Sequence, residues 1–257
     1  MTLNPGRSYR DYGADFADIY DTIFPRSSLG ASEIAWLYGH IGTGNRVLEL
    51  GVGTGRVAIP LAERLAQRGQ PIEYRGIDFS AEMLAQLEKA DVDGLIDTRC
   101  GDIVEVQYGA DYDTVLCVCA TISMITDPDE QARVFVKAAS ALRPGGTFII
   151  ETHNAEYVRS IHSPHTEITY AVPYPGGKRA LVSFSTLHEE AWTIDHCWID
   201  DGTSRFVSEA SRVTTLHELD TYAAGAGLVT RGYTTGLNGA PIGPSSRTVT
   251  AEYSKPL

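Results

Sequence analysis

The glycine-rich segment that follows residue 50 constrains the fold of this chain more than any other feature. A short apolar run, Arg46–Leu50, leads into Gly51, Gly53 and Gly55, and apolar residues then recur at helical spacing from Val57 onward. Glycine allows a tight turn and lets the backbone approach a ligand closely. The segment therefore predicts a strand, a ligand-binding turn and a helix, although such a turn alone also fits a purely structural bend.

The same strand and helix unit repeats along the chain. Further strands are predicted at residues 74–78, 95–100, 112–120 and 147–151, with helical segments between them. The run at 112–120 is continuously apolar, which is typical of a strand covered on both faces. A helix at 216–227 and two closing strands at 228–235 and 246–253 complete the pattern. We therefore expect an α/β fold with a doubly wound, mostly parallel, seven-stranded Rossmann-like sheet.

Two segments fall outside this alternation. Residues 1–45 are polar and rich in aromatic residues, with a helix expected at 32–41, and predict an N-terminal helical cap. Residues 160–215 alternate without helical period and contain turn signals at 175–177 and 201–202, which predicts an antiparallel β insertion of about three strands. We expect the insertion to act as a lid or an interface, and residues 1–257 to form a single domain.

Three side chains around the glycine turn indicate which kind of nucleotide it binds. Asp78 lies 27 residues after Gly51, at the end of the second strand, where a carboxylate can accept hydrogen bonds from ribose hydroxyls. Arg56 stands where the dinucleotide fingerprint requires a third glycine. Glu49 adds a negative charge that suits a cationic amino group better than a pyrophosphate.

With these residues the sequence resembles the class I S-adenosylmethionine (SAM) dependent methyltransferases. The family's E-x-G-x-G-x-G loop is matched by residues 49–55, its acidic residue after the second strand by Asp78, and its G-D after the third strand by Gly101 and Asp102. The L-R-P-G-G turn at 142–146 extends the resemblance, which covers residues 12–153. The insertion resembles that of glycine and amino-sugar N-methyltransferases. The resemblance implies S-adenosyl-L-methionine as the cofactor.

The resemblance also implies roles for individual residues. Asp78 would bind the ribose hydroxyls and Asp102 the adenine amine, while the backbone near Cys119 would meet the methionine moiety. The cofactor-binding residues expected in this way are Tyr20, Glu49, Gly51, Gly53, Gly55, Arg56, Asp78, Phe79, Met83, Asp102, Ile103, Cys119 and Ala120. Phe79, Met83 and Ile103 would flank the adenine, and Phe79 and Met83 fit the core equally well.

Catalytic and substrate-binding residues are expected at the carboxyl ends of the strands and on the insertion. His153 follows the fifth strand, where it could accept a proton, hold the substrate or serve only structure. Tyr12 and Tyr20 could close the site and face a sulfonium methyl, or anchor a helix. The residues predicted to contact substrate are Tyr12, His153, Tyr170, Trp192, His196 and Trp198. On the insertion, core or interface positions explain these side chains at least as well.

Composition narrows the class of partner. The net charge of −12 argues against a nucleic-acid partner, because neutralising phosphates requires a surplus of Lys and Arg. The sequence has no signal peptide and no long apolar run, so we expect a cytoplasmic protein without a membrane partner. The four cysteines are expected to be free thiols, and no metal site is predicted. The choice between monomer and homodimer stays open.

Two functions follow from these features. The first is methyl transfer from SAM to nitrogen or oxygen of a small metabolite, in natural-product biosynthesis. The alternative is a methyltransferase-like cyclase, including a pericyclic one, that binds SAM without transferring its methyl group, because fold does not fix function. A third hypothesis, an NADP-dependent oxidoreductase with Arg56 near the 2′-phosphate, leaves Glu49 and Asp102 unexplained.

Overall fold

The computed structural model describes residues 9–41, 46–69 and 71–257. The first eight residues of the predicted N-terminal cap and its last four, 42–45, lie outside these ranges. The helices of the described residues are α1 Tyr9–Phe16, α2 Tyr20–Ile23, α3 Ala31–Ile41, α4 Ala58–Ala66, α5 Ala81–Ala90, α6 Pro128–Ala141, α7 Ala155–His162 and α8 Leu216–Gly225. None of these helices is long and apolar enough to cross a membrane.

The strands build one large and one small sheet. Their bounds are β1 Arg46–Leu50, β2 Glu73–Asp78, β3 Ile96–Cys100, β4 Tyr112–Cys117, β5 Leu142–His153, β6 Glu167–Tyr174, β7 Arg179–His188, β8 Ala191–Asp200, β9 Thr203–Arg212, β10 Val229–Thr234 and β11 Thr248–Ser254. The large sheet has the order β10-β11-β5-β4-β1-β2-β3. Strand β11 runs in the direction opposite to the other six strands. The predicted doubly wound, seven-stranded, mostly parallel sheet is confirmed.

Helix starts along the chain carry the expected capping chemistry. The Ser80 hydroxyl accepts the Met83 amide at 3.1 Å and begins α5. Thr215 and Glu218 form a reciprocal capping box at α8. These caps satisfy amide groups that the helix itself leaves unpaired, so each helix begins at a fixed point after its strand.

The large sheet separates two apolar cores. Alternating side chains of a strand point to opposite faces, so Leu48 packs on one side and Val47 on the other. On the first side the rings of Phe135, Phe148 and Tyr253 meet edge to face, with centroids 5.2 and 5.8 Å from Phe135. Both faces are covered, which explains the continuous apolar run of β4.

The insertion differs from the sequence-based expectation in its number of strands. It forms four antiparallel strands in the order β6-β7-β8-β9 rather than about three, and the hairpin turns follow the predicted signals near residues 176 and 201. A short helix that was not predicted, α7, connects it to β5. Asn154 caps this helix by accepting the Glu156 amide at 3.1 Å.

The small sheet packs on the N-terminal helices, and both lie over the carboxyl ends of the parallel strands. Phe16 and Ile23 from these helices form an apolar cluster with Met83, Leu181 and Trp198. Strand β4 also ends earlier than predicted, at Cys117, because the two residues at 119 and 120 have φ angles of 58° and 60° that turn the chain. Together these features leave a deep space at the carboxyl ends of the parallel strands.

Candidate active site

A cavity of about 800 Å³ lies between the carboxyl ends of the parallel strands and the small sheet. Its floor includes the glycine turn at Gly51 and Gly53, Asp78 at the end of β2 and the turn after β4. The strand order changes direction between β1 and β4, and ligands of open α/β sheets bind at such a switch point. The volume lies in the upper part of the range of about 300–1,000 Å³ that is usual for ligand sites.

The glycine turn is fastened to the end of β2 through Asp78. One carboxylate oxygen of Asp78 accepts the Gly53 amide at 2.8 Å, and the other accepts the Ser80 amide at 2.9 Å. Gly51 has a φ of 73°, and a Cβ built on it would lie 2.4 Å from a methyl carbon of Thr121. Glycine is therefore required where the turn passes beneath the segment that follows β4.

Glu49 is a buried carboxyl group beneath this turn. It is 2% exposed and accepts a hydrogen bond from the Tyr74 hydroxyl. Burial raises the pKa of Glu49 to about 8. Glu49 lines a small recess that also includes Thr54 and Arg56. At neutral pH the group is mostly protonated and would ionise if a cation came to lie beside it.

Arg56 brings a positive charge to the same region. Its Nη2 atom contacts the Cys119 sulfur at 2.8 Å, whereas its buried Nε has no hydrogen-bond partner among the described residues. A buried guanidinium nitrogen without a partner is costly, and a carboxylate is the group that best satisfies it. With Glu49 nearby, the recess presents one acidic and one basic group, which fits the amino and carboxyl ends of an amino acid.

The turn after β4 is held by Glu151 of β5, a residue that sequence reasoning missed. The Glu151 carboxylate accepts the Cys119 amide at 2.7 Å, and its carbonyl oxygen accepts the Ala120 amide at 3.1 Å. Burial raises the pKa of the Cys119 thiol to about 12, so that thiol stays protonated and is a poor nucleophile.

The wall opposite the glycine turn begins with His153. Its ring meets Trp192 of β8 edge to face, with centroids 4.7 Å apart, and both side chains line the cavity. Burial lowers the pKa of His153 below its ordinary value of 6.5. The imidazole is therefore neutral at physiological pH and able to accept a proton. The Trp192 indole nitrogen donates to the Ser185 hydroxyl at 2.7 Å, which fixes the ring.

A row of polar side chains crosses the inner face of the small sheet. Tyr170, Ser183 and His196 are direct cross-strand neighbours on β6, β7 and β8, and all three line the cavity. The Ser183 hydroxyl lies 2.9 Å from Nδ1 of His196. Glu209 of β9 adjoins the row, with a carboxylate oxygen 3.7 Å from Nε2 of His196.

Glu209 was not predicted from the sequence, although the alternation of side chains along β9 points to it. Positions 205, 207, 209 and 211 of β9 share one face of the strand, because side chains alternate. Val207 is buried at 2% exposure and Ser211 is equally buried, so this is the inward face. An acidic residue on the inward face of a half-buried strand is unusual and indicates a specific partner.

Most of the predicted site residues are brought together in the cavity lining. They are Tyr12, Tyr20, Gly51, Gly53, Arg56, Asp78, Phe79, Met83, Ile103, Cys119, Ala120, His153, Tyr170, Trp192 and His196. Glu49 lines the adjoining recess. Their individual roles stay predictions.

Three predicted site residues lie outside the cavity lining. Gly55 belongs to helix packing, because an added Cβ would lie 3.0 Å from Ile59. Asp102 is not part of the cavity lining, and its carboxylate accepts the amide of Val104 at 2.8 Å. Trp198 packs edge to face on a tyrosine in the apolar cluster that joins the small sheet to the N-terminal helices, with centroids 5.1 Å apart. A core position therefore explains Trp198 better than substrate contact.

Residues 47–146, which contain the glycine turn and Asp78, match the model of a family described as a methyltransferase domain. Over these residues the chain thus matches a methyltransferase domain, and as a whole it has the Rossmann-like fold of the SAM-dependent methyltransferases. The resemblance seen in the sequence is confirmed at the level of the fold and of this domain match.

Two similar proteins of known structure extend over nearly the whole chain, and a further relative covers about three quarters of it. The CcbJ methyltransferase from Streptomyces caelestis is 26% identical, with a TM-score of 0.82 over 96% of this chain and 98% of its own. SAM-bound CalS10, an amino pentose methyltransferase from Micromonospora echinaspora involved in calicheamicin biosynthesis, is 21% identical, with a TM-score of 0.60 over 97% and 92%. The putative methyltransferase YqeM of Bacillus subtilis is 24% identical over 74% of this chain and 75% of its own.

Proposed function

We propose that this protein transfers the methyl group of S-adenosyl-L-methionine to a nitrogen or oxygen atom of a small metabolite in natural-product biosynthesis. The observation that carries the proposal is one continuous cavity, which joins the glycine turn and Asp78 to a second wall formed by His153 and the small sheet. A cavity of about 800 Å³ leaves room for an acceptor beside the cofactor. The similar amino pentose methyltransferase supports a small polar acceptor.

The chemistry of the floor fits the parts of the cofactor. Asp78 would hold the ribose hydroxyls, and the apolar side chains of Phe79, Met83 and Ile103 would flank the adenine. In the recess, Glu49 suits the amino group, and Arg56, with its unpaired Nε, suits the carboxylate. An acidic and a basic group at one end and a ribose acceptor at the other match an aminoacyl nucleoside.

When bound, S-adenosyl-L-methionine supplies a methyl carbon whose bond to sulfur breaks, with the electron pair kept by sulfur, as the acceptor's lone pair forms the new bond. The protein's task is to position the acceptor in line and exclude water. His153 accepts a proton if the acceptor must lose one, because its imidazole is neutral. Tyr12 and Tyr20 present aromatic rings to the cavity, where they favour positive charge.

The cyclase alternative is less well supported by the shape of the second wall. A polyene needs only apolar contacts, whereas this wall carries the polar groups of Ser183, His196 and Glu209 among its apolar side chains. Buried polar groups are costly unless they meet a partner, so they favour an acceptor with polar atoms of its own. Product mass separates the two functions, since cyclisation leaves the mass of the substrate unchanged.

The test is incubation of the purified protein with SAM and a panel of amino sugars, other small amines and alcohols, followed by mass spectrometry. We expect one acceptor to gain a single methyl group, with an equal amount of S-adenosylhomocysteine (SAH) formed. The Asp78→Ala variant should lose this activity because it loses the ribose acceptor. Failure of SAH to bind in a calorimetric titration would contradict both the cofactor site and the reaction.

A further inference from the structure

Glu209 is the acidic side chain of the second wall, and it is not needed to build the cofactor site. It lies on β9, lines the cavity and is 13% exposed. Its neighbours on this wall are largely apolar and include Leu181, Trp192 and Ile194. A carboxylate in such a place needs a partner, because an uncompensated buried charge is expensive.

The protein satisfies this carboxylate only in part. The Ser211 hydroxyl donates to one oxygen at 2.7 Å, and Nε2 of His196 lies 3.7 Å from the other, beyond hydrogen-bond distance. A carboxylate offers about four lone-pair positions, so most of its accepting capacity is left facing the cavity. Within residues 9–41, 46–69 and 71–257, neither Lys nor Arg forms an ion pair with Glu209.

The carboxylate nevertheless stays ionised. Burial by itself would raise its pKa, but His196, His153 and Ser211 outweigh burial, and the pKa of Glu209 lies below its ordinary value. Its negative charge extends into the cavity, since it raises the pKa of Tyr12 on α1 in addition to the larger effect of burial. The second wall thus presents a fixed negative charge beside aromatic rings.

We propose that Glu209 binds the protonated amino group of the acceptor and selects amines over alcohols of the same shape. This inference rests on the proposed methyl transfer, because it assigns the acceptor atom within the same cavity. An ammonium group would donate to the free lone pairs of Glu209 and cancel its charge, whereas a hydroxyl could donate but would leave the charge uncompensated. Aromatic faces such as Tyr12 and Trp192 stabilise the same positive charge.

Binding as an ammonium requires that a proton leave before the nitrogen can react. His153 is neutral and near enough to Glu209 for the two charges to interact. One N–H bond of the ammonium breaks, its electron pair remains on nitrogen, and the proton passes to the imidazole of His153. Glu209 is thus a substrate-binding residue and His153 the proton acceptor.

The experiment measures binding of matched amines and alcohols to the protein loaded with SAH. The probe pairs are D-glucosamine with D-glucose, and cyclohexylamine with cyclohexanol, titrated at pH 7 and followed by NMR or calorimetry. We expect wild-type protein to prefer the amine of at least one pair by about tenfold or more, and Glu209→Gln to lose that preference. Glu190→Gln is the matched control, because Glu190 is exposed at the β7–β8 turn.

Three results would overturn the proposal: wild-type protein that binds neither amine, wild-type protein that binds amine and alcohol equally, or a Glu209→Gln variant that keeps the preference. A fourth, weaker SAM binding by Glu209→Gln with unchanged SAH binding, would assign the carboxylate to the sulfonium instead. SAH affinity measured in the same series keeps the two proposals apart. If wild-type protein binds SAH but shows no preference for amines, only the role of Glu209 is rejected. If wild-type protein does not bind SAH, methyl transfer itself is rejected.

Discussion

At the scale of single residues, we expect binding of the cofactor to change the protonation of the Glu49 carboxyl group. Its pKa of about 8 means that it carries a proton at pH 7, because burial disfavours the carboxylate. An amino group bound beside it as a cation would reverse that preference and release up to about one proton. Calorimetric titration of SAH in two buffers of different ionisation enthalpy measures this release. Glu49→Gln should abolish it, and a wild-type enthalpy that is independent of buffer would contradict the role of Glu49.

His153 gives a second test at this scale, through the pH dependence of methyl transfer. Its pKa lies below 6.5 because of burial, opposed by the charge of Glu209. In the proposed role the neutral imidazole is the active form, so activity should be full above that pKa and fall as pH drops through it. The other titratable or charged groups of the same cavity are Tyr12, Tyr20, Arg56, Asp78, Cys119, Tyr157, Tyr170, Tyr174, His196 and Arg247.

The measurement is the rate of methyl transfer at saturating concentrations from pH 5 to 8. His153→Gln should lower the rate and remove the acidic fall. His165→Gln is the control, since His165 is exposed on the loop before β6. An acidic fall that persists unchanged in His153→Gln would show that another group accepts the proton.

At the scale of elements, the glycine turn depends on two different physical requirements. Gly51 and Gly53 both have positive φ angles, 73° and 55°, which cost an L-residue roughly 1–2 kcal/mol. Only at Gly51 would a Cβ also collide, 2.4 Å from Thr121, whose hydroxyl is held by the Val118 carbonyl at 2.9 Å. At Gly53 nothing lies within 4 Å of the added atom.

The two alanine variants should therefore differ in stability. Gly53→Ala should lower the free energy of unfolding by about 1–2 kcal/mol, from backbone strain alone. Gly51→Ala should cost about 1–3 kcal/mol more, because overpacking is added to the strain. Chemical denaturation followed by circular dichroism measures both. Equal losses would mean that the segment after β4 yields freely and does not fix the turn.

The elements also show where sequence reasoning succeeds and where it stops. The glycine turn, Asp78 and the cap at Ser80 could be predicted because their chemistry is local: a few consecutive residues determine a turn, a strand end or a helix start. Tyr170 and His196 were named from the sequence, but their alignment with Ser183 in one row could not be predicted, because it depends on the register of three separate strands. Glu209 was missed for the same reason.

At the scale of the whole molecule, the N-terminal helices and the small sheet act as one cover over the strand ends. The Tyr174 hydroxyl of β6 donates to the Ile23 carbonyl at 2.9 Å, and Arg205 of β9 donates to both carboxylate oxygens of Asp18 at 2.7 and 2.8 Å. The Arg205–Asp18 pair is exposed and contributes at most about 1 kcal/mol. The apolar cluster that includes Phe16 therefore contributes most to holding the helices and the small sheet together.

The cavity therefore lies between the parallel sheet and this cover. The parallel sheet supplies the floor, and its residues are determined by the βαβ repeat. The cover supplies the second wall with Tyr170, His196 and Glu209, and we expect this wall to select the acceptor. Exchange of substrate and product requires the cover to separate from the floor or the cavity mouth to admit them.

The most direct test of methyl transfer in this cavity is a crystal structure of the protein with SAH. We expect the ribose on Asp78, the amino acid end between Glu49 and Arg56, and the sulfur open toward His153 and Glu209. SAH bound elsewhere, or bound with its sulfur closed off from the wall that holds His153, would contradict methyl transfer to an acceptor in this cavity.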